Sequence, residues 1–276
     1  MKYSVLMSVY IKENPDFLRL SIESMFNQTL KMDQFVVVKD GPLTEELEIV
    51  LDEYCKLYPE IMTIVPIEKN VGLAKALDIG LKECRNELVA RMDSDDISLP
   101  QRCEKQIKKF EENENLCVLG SNIDEFYDNP EEIITSRVVP SSYEEIKKFI
   151  RRREPFNHPT IMFKKSEVEK AGGYGDLKRC QDFDLFSRMV GGGCYAENIN
   201  ESLLLFRSNE NNYKRRKSWQ SVKGNIIVVK RNYKRGYCSF FDLLFVANAR
   251  FIFFIMPTFL MKWLSNKLLR KKNKQS

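Results

Sequence analysis

Leu88-Val89-Ala90-Arg91-Met92-Asp93-Ser94-Asp95-Asp96-Ile97-Ser98 is the stretch that decides the fold. An apolar run of strand length delivers three carboxylates within four residues, and like charges held side by side repel unless a cation neutralises them. Asp93 and Asp95 lie two apart beyond the strand, so both side chains fall on one side of an extended segment. Hard divalent cations such as Mg2+ or Mn2+ are held by one or two such carboxylates, with phosphate oxygens completing the shell. The stretch therefore asks for Mg2+ or Mn2+ on Asp93 and Asp95, with a phosphate beyond it. A calcium loop is a rival, since Glu104 is the twelfth residue counted from Asp93. It fails at Ile97 and Ser98, where a ligand and a glycine are needed. A solvated acidic turn is the other alternative, and it leaves the remaining strand ends unexplained.

Upstream, the same rhythm repeats. Short apolar runs over 5–9, 35–38, 62–66 and 87–92 read as buried strands, and each is followed by helical spacing. Asn14-Pro15 opens a helix carrying Leu18, Ile22, Met25 and Phe26, and Thr44 caps one over 44–57. Asn70-Val71-Gly72 precedes a helix through Leu73, Ala76, Leu77 and Leu81, and Pro100 one through Ile107 and Phe110. Four strand–helix units predict an α/β fold, a mostly parallel sheet flanked by helices. Ligands bind such sheets at the carboxyl ends of the strands. There Ser8-Val9-Tyr10, Asp40-Gly41 and Asp93-Ser94-Asp95 share one edge. Asp40 is placed to accept hydrogen bonds from a nucleobase or ribose, although Asp40-Gly41-Pro42 alone reads as an ordinary turn.

After Gly120 the pattern changes. A hairpin is expected over 123–127 and 133–139, a helix over 143–150, a strand over 160–163, and helices over 166–171 and 181–190. Two short strands follow, near 194–196 and 203–206. From Phe240 the chain is rich in Phe, Leu and Ile, interrupted by Asp242, Asn248, Arg250, Pro257 and Lys262. The cleanest apolar run, 251–261, is about half of the ~20 residues a spanning helix needs. With Trp263 and the basic residues 270–274, this segment suits an amphipathic helix lying on an anionic membrane surface. A buried helix pair or a dimer face is the alternative.

With 276 residues, 43% hydrophobic and 30% charged, the chain has room for one large globular domain and an appendage. Its net charge of +5 is concentrated over 151–153, 214–217, 230–235 and 270–274, which favours anionic partners. Seven scattered cysteines with no Cys-x-x-Cys pair indicate a reducing compartment and thiols used as small core residues. The lone His158 excludes histidine-built metal sites, so a metal is expected on oxygen. The apolar run at the N-terminus is too short for a signal peptide, and the globular part is expected in the cytoplasm.

Taken in order, several motifs closely resemble the family 2 glycosyltransferases of GT-A fold. They are residues 4–9, Asn27-Gln28-Thr29, Val37-Val38-Lys39-Asp40-Gly41, Asn70-Val71-Gly72-Leu73-Ala74, and Ala90-Arg91-Met92-Asp93-Ser94-Asp95-Asp96. Asn157-His158-Pro159-Thr160, Gln181-Asp182-Phe183-Asp184-Leu185-Phe186 and Arg207 continue the likeness. It covers about residues 3–217, and its specificity lies in the number and order of the motifs.

The resemblance implies an inverting, metal-dependent transfer of a sugar from a nucleotide-diphosphate donor, a UDP-sugar. Asp93 and Asp95 would hold the metal and diphosphate, and Asp40 the base. Ser8, Tyr10, Asn70, Arg91 and Arg207 would join the donor side, with Lys214, Arg215 and Arg216 in a basic loop that closes on the diphosphate. Asp182 matches the catalytic base, which takes the acceptor's proton while the metal stabilises charge on the leaving phosphate. Gln181 departs from the family, where Glu is common, and Asp184 is a rival base. His158 is expected on the acceptor side or supporting it.

Similar bacterial proteins build capsular, exopolysaccharide or O-antigen units. That implies a lipid-linked saccharide acceptor and peripheral attachment to the cytoplasmic face of the inner membrane. Residues 1–217 are expected as the transferase domain, with a nucleotide-sugar half over 1–122 and an acceptor half over 123–217. Residues 218–276 form the helical membrane-interface region. A sugar-phosphate nucleotidyltransferase would want a glycine- and arginine-rich loop where Tyr10-Ile11-Lys12-Glu13-Asn14 stands. A non-catalytic nucleotide-sugar-binding subunit of a membrane synthase stays open through Gln181. Basic residues over 214–235 with Tyr213, Trp219 and Tyr233 suggest nucleic-acid binding, but no recognisable module accompanies them, and no nucleic-acid partner is expected.

Overall fold

A computed structural model describes residues 1–208 and 218–256 and the backbone of residues 270–271. Tyr213, Lys214, Arg215, Arg216, Pro257, Lys262 and Trp263 lie outside the described residues.

Strands β1 (Tyr3–Val9), β2 (Gln34–Asp40), β3 (Met62–Ile67) and β4 (Leu88–Met92) pair in parallel in the order β4-β1-β2-β3. All four carboxyl ends therefore open on one edge. Beyond this block come β5 (Ile97–Ser98), β6 (Leu116–Phe126), β7 (Thr135–Arg137), β8 (Met162–Lys164), β9 (Tyr195–Arg207) and β10 (Arg270–Lys271). Among the described residues the main path is β10-β7-β6-β8-β4-β1-β2-β3. Strand β9 runs parallel to β6 and carries β5 antiparallel. The sheet is thus mixed: β8 joins β4 and β6 antiparallel, and β7 is antiparallel to both β6 and β10.

Alternation along the parallel strands splits the core in two. Val5, Met7, Val9, Phe35 and Val37 face α1 (Pro15–Phe26), α2 (Glu45–Leu57) and, through Cys103, Ile107 and Phe110, α4 (Arg102–Glu112). Leu6, Val36, Val38 and Val89 face α3 (Leu73–Glu83), α5 (Tyr143–Phe149), α6 (Lys165–Lys170) and α7 (Gln181–Gly191). Asn14 and Thr44 accept backbone N–H groups at the starts of α1 and α2, as their positions predict.

Several expectations are corrected. The two short strands expected near 194–196 and 203–206 are one strand, β9, continuous through the exposed Asn200 and Glu201, which bulge out of register while β6 pairs on either side of them. The strand expected at Thr160 starts at Met162, after a single 3-10 turn over His158–Thr160. Strand β6 spans Leu116–Phe126, so the first arm of the hairpin expected over 123–127 starts seven residues earlier.

The C-terminal region begins with α8 (Trp219–Lys234) and α9 (Phe240–Ile255). Asp242, which breaks the apolar pattern of the sequence, is buried. Arg151 and Arg152 bind it at 2.6 and 2.5 Å, and it closes a capping box with Ser239. Burial pushes its pKa up, but the Ser239 hydrogen bonds and the two arginines more than offset this and hold it well below the usual range. Much of the basic clustering is likewise spent internally: Arg231 and Arg235 both reach the buried Asp184. Among the described residues no helix is long and apolar enough to cross a membrane.

Candidate active site

The acidic turn follows β4 directly. Oxygens of Asp93, Asp95 and Asp96 all lie within 4.8 Å of one another. Burial, then the charge of Asp93, pushes the Asp95 pKa up to about 6, against the pull of Arg91 and Arg207. A half-buried, mutually repelling set of hard oxygens is what an oxygen-seeking divalent cation needs, and Mg2+ or Mn2+ fits Asp93 and Asp95. The turn is anchored from behind, where Ser21 Oγ donates to the Asp93 carbonyl at 2.7 Å. Arg91, only 2% exposed, forms an ion pair with Asp93, while its Nε and Nη1 have no hydrogen-bond partner. Burial opposes the Arg91 charge, and Asp93 holds it in place.

Asp96 is the third acid of the turn, and the sequence reading places neither metal nor donor on it. It is fully buried and accepts the backbone N–H of Arg207 at 2.9 Å. Burial, then Asp95 and Asp93, raise its pKa well above the ordinary value. Arg207 Nε donates to the Asp95 carbonyl at 3.0 Å, and its guanidinium lies over the rings of Phe17 and Phe126, 3.8 and 4.6 Å from their centroids. The end of β9 is thereby stitched to the acidic turn.

Asp40 ends β2, 4% exposed. Its Oδ1 accepts Val71 N–H at 2.7 Å, and its Oδ2 accepts Gly72 N–H and Asn70 Nδ2, both at 3.0 Å. Asp40 and Asn70, both expected on the donor side, are therefore joined, and the carboxylate orders the loop that opens α3. Gly41, at φ +90, lies so close that a Cβ there would meet Asn70 N at 2.8 Å. At the neighbouring end of β1, Ser8 is half-buried and Tyr10 is 37% exposed, its carbonyl accepting Glu13 N–H at 3.1 Å.

Asp182 stands in the first turn of α7, behind Cys180, a non-glycine residue held at φ 62. Such backbone costs of order 1–3 kcal/mol and persists where the surroundings fix it. Asp182 is half-buried; its Oδ1 accepts Phe183 N–H at 2.9 Å, and burial raises its pKa against Arg91 and Arg137. Arg91 pairs with Asp93, and its charge also lowers the Asp182 pKa against the rise that burial causes. His158 Nε2 meets Tyr174 Oη at 2.9 Å, and burial, with Arg91, keeps the imidazole neutral. Asp184 is buried among Arg188, Arg231 and Arg235 at 3.2–3.5 Å, a structural ion cluster rather than a free base.

Sequence reasoning missed Glu154. Its Oε1 accepts Phe156 N–H at 3.0 Å, and its Oε2 is buried without a hydrogen-bond partner. Burial, then the charge of Asp182, raises its pKa well above the ordinary value. A second carboxyl group thus stands near Asp182 although residue 181 is Gln, and it comes from a segment no local motif connects to α7.

The profile of the family described as Glycosyl transferase family 2 matches residues 4–171. An uncharacterized glycosyltransferase of Haemophilus influenzae is 40% identical over 98% of this chain and 100% of its own length. A protein of Escherichia coli named UDP-Gal:alpha-D-GlcNAc-diphosphoundecaprenol beta-1,3-galactosyltransferase is 33% identical, covering 98% of this chain and 97% of its own. Among solved structures, the mannosyltransferase PcManGT from Pyrobaculum calidifontis, in complex with GDP-Man and Mn2+, superposes with a TM-score of 0.66 at 13% identity. That alignment covers 96% of this chain and 75% of the other. The mixed sheet with helices on both faces is the GT-A arrangement.

Proposed function

Because the chain belongs to glycosyl transferase family 2, we propose that it moves a sugar, with inversion, from a UDP-sugar to a hydroxyl of a lipid-linked saccharide. The observation that carries this reading is the acidic turn at the carboxyl end of β4, where oxygens of Asp93, Asp95 and Asp96 lie within 4.8 Å of one another and Asp93 pairs with the buried Arg91. The name of the Escherichia coli relative supports the donor and acceptor classes.

In this reading Asp93 and Asp95 hold Mg2+ or Mn2+, which when bound supplies positive charge against the departing diphosphate. Arg91 and Arg207 add fixed positive charge on the same side. The Asp40–Asn70 pair shapes the loop that receives the base and ribose, with Ser8 and Tyr10 beside it. Asp182 accepts the proton of the attacking hydroxyl. Its pKa, raised by burial, makes it a stronger base than an exposed aspartate while Arg91 and Arg137 keep it from being protonated too readily.

Residues 1–217 serve as the transferase domain, with a donor half over 1–122 and an acceptor half over 123–217, and residues 218–276 as its membrane-facing appendage. Phe241, Leu244, Phe245, Ile252 and Ile255 are 43–78% exposed at helical spacing on α9, an apolar stripe suited to the cytoplasmic surface of a bilayer that carries the acceptor.

The test is donor turnover. Purified protein with Mn2+ and a panel of nucleotide sugars should release UDP in the presence of the lipid-linked acceptor. Asp182→Asn should lose about 10²–10⁴-fold in transfer while binding donor as before. Unchanged transfer in that variant removes Asp182 as the base, and donor binding without any turnover by the wild type points to a non-catalytic subunit.

A further inference from the structure

At the opposite end of α7 from Asp182, about 14 Å along the helix axis, three side chains without an assigned role meet. Cys117 on β6, Glu167 on α6 and Cys194 in the turn before β9 bring Sγ, a carboxylate oxygen and Sγ within 4.8 Å of one another, each half-buried and open to solvent. The backbone is shaped to aim them. The register of β6 on β9 slips between Leu116 and Val118, so Cys117 is a bulged residue with no partner across the ladder. A bulge redirects the side chain it carries. Cys194 is turned inward by Gly193 at φ +99 and tied by its N–H to the Met189 carbonyl at 2.9 Å.

Cys194 Sγ donates to Glu167 Oε2 at 3.2 Å, and Cys117 Sγ to the Asn115 carbonyl at 3.3 Å, so both thiols lie against hard oxygen acceptors while the three ligand atoms face one another. Lys170 Nζ is 3.6 Å from Glu167 Oε2 and offsets part of the negative charge.

We propose that Cys117, Cys194 and Glu167 form a binding site for a thiophilic divalent cation of the Zn2+ class, with water in a fourth position. Tetrahedral Zn2+ with sulfur at about 2.3 Å and oxygen at about 2.1 Å sets ligand separations of about 3.5–3.8 Å. The ligand atoms lie at most about 1 Å beyond that spacing. Thiolates select such a cation over Mg2+ or Mn2+, which prefer the all-oxygen set at Asp93 and Asp95. Bound there, it clips β6, α6 and the turn that ends α7. The site stands apart from the donor site and does not depend on the transferase reading.

Full-length protein, reduced and stripped with chelator, is titrated with Co2+ as a spectroscopic probe and then with Zn2+. One equivalent of Co2+ is expected to give thiolate-to-cobalt charge transfer and visible tetrahedral bands, both displaced by Zn2+. The double variant Cys117→Ser/Cys194→Ser should lack them. Glu167→Gln keeps both thiols and should retain the charge transfer with about tenfold or more weaker binding. Zn2+ should raise the Tm of the wild type and not of the double variant. No charge transfer at one equivalent, or the same band in the double variant, overturns the proposal. So does a Cys117–Cys194 disulfide whose reduction restores no metal uptake.

Discussion

Replacing Asp40 by Asn tests whether one carboxylate ties the fold to the donor site. The three hydrogen bonds it accepts come from Val71 N–H, Gly72 N–H and Asn70 Nδ2. An asparagine keeps one oxygen, which suits Val71, and turns an amide toward two donors. Asn70 is exposed and can rotate its own carboxamide to accept, but Gly72 N–H, fixed at the start of α3, cannot. The variant therefore orphans one donor, at about 1–3 kcal/mol, and removes the charge from the bonds that remain. The sum is about 2–4 kcal/mol, a large part of the ~5–15 kcal/mol that holds a typical domain together. Urea unfolding should show a clearly lower midpoint, and calorimetry with UDP and Mn2+ should show weaker binding because the 70–72 loop loosens. Asn70→Ala should cost less, about 0.5–1.5 kcal/mol, since the bonds from its Nδ2 to the Asp40 carbonyl and Oδ2 are lost without leaving a buried donor unpaired. A wild-type midpoint in Asp40→Asn refutes the hydrogen-bond argument, and a lowered midpoint with intact UDP binding removes Asp40 from the donor site.

The acid limb of the kcat/KM profile should lie above the ordinary carboxylate range, because burial raises the Asp182 pKa and activity is lost as pH falls through it; a limb near pH 4 would disprove this. Glu154 also has a raised pKa, from burial and then Asp182, so the fold favours its neutral form. Its contribution to stability is complete below the unfolded value near 4.3 and is lost as pH rises toward the folded one, at up to about 1.4 kcal/mol per pH unit. Glu154→Gln should flatten that slope and raise the Tm at pH 8 above wild type, and an unchanged slope would show that the group is solvated. Phe241→Ser/Phe245→Ser should weaken sedimentation with anionic vesicles while leaving donor binding unchanged; equal sedimentation would dissociate α9 from membrane attachment.

The parallel half of the fold was readable because each of its strands has an apolar stretch of strand length and α1 and α2 open on capping residues, so local patterns carry the topology. The acidic turn was readable for the same reason. Strand β9 was not, since Asn200 and Glu201 interrupt its apolar pattern and only pairing with β6 keeps it extended. The anchoring role of Asp96 was not readable because its partner is a backbone N–H at residue 207, and backbone donors leave no trace in sequence. Glu154 and Cys117 were silent for a related reason: each gains its meaning from side chains that only the folded chain brings near, Asp182 in one case and Cys194 in the other. Asp242 was taken for a polar interruption of an apolar segment, whereas Arg151 and Arg152 make it an internal anchor.

The bond from Arg207 N–H to Asp96 also sets the smallest piece of this protein that can stand by itself. The family profile ends at residue 171, yet a fragment cut there would leave Asp96 without the amide that faces it. It would also strip Arg207 from Phe17 and Phe126, opening the turn that carries Asp93 and Asp95 to water. A split protein made of residues 1–171 and the remainder should therefore be inert as separate halves and regain donor binding only when the two are mixed.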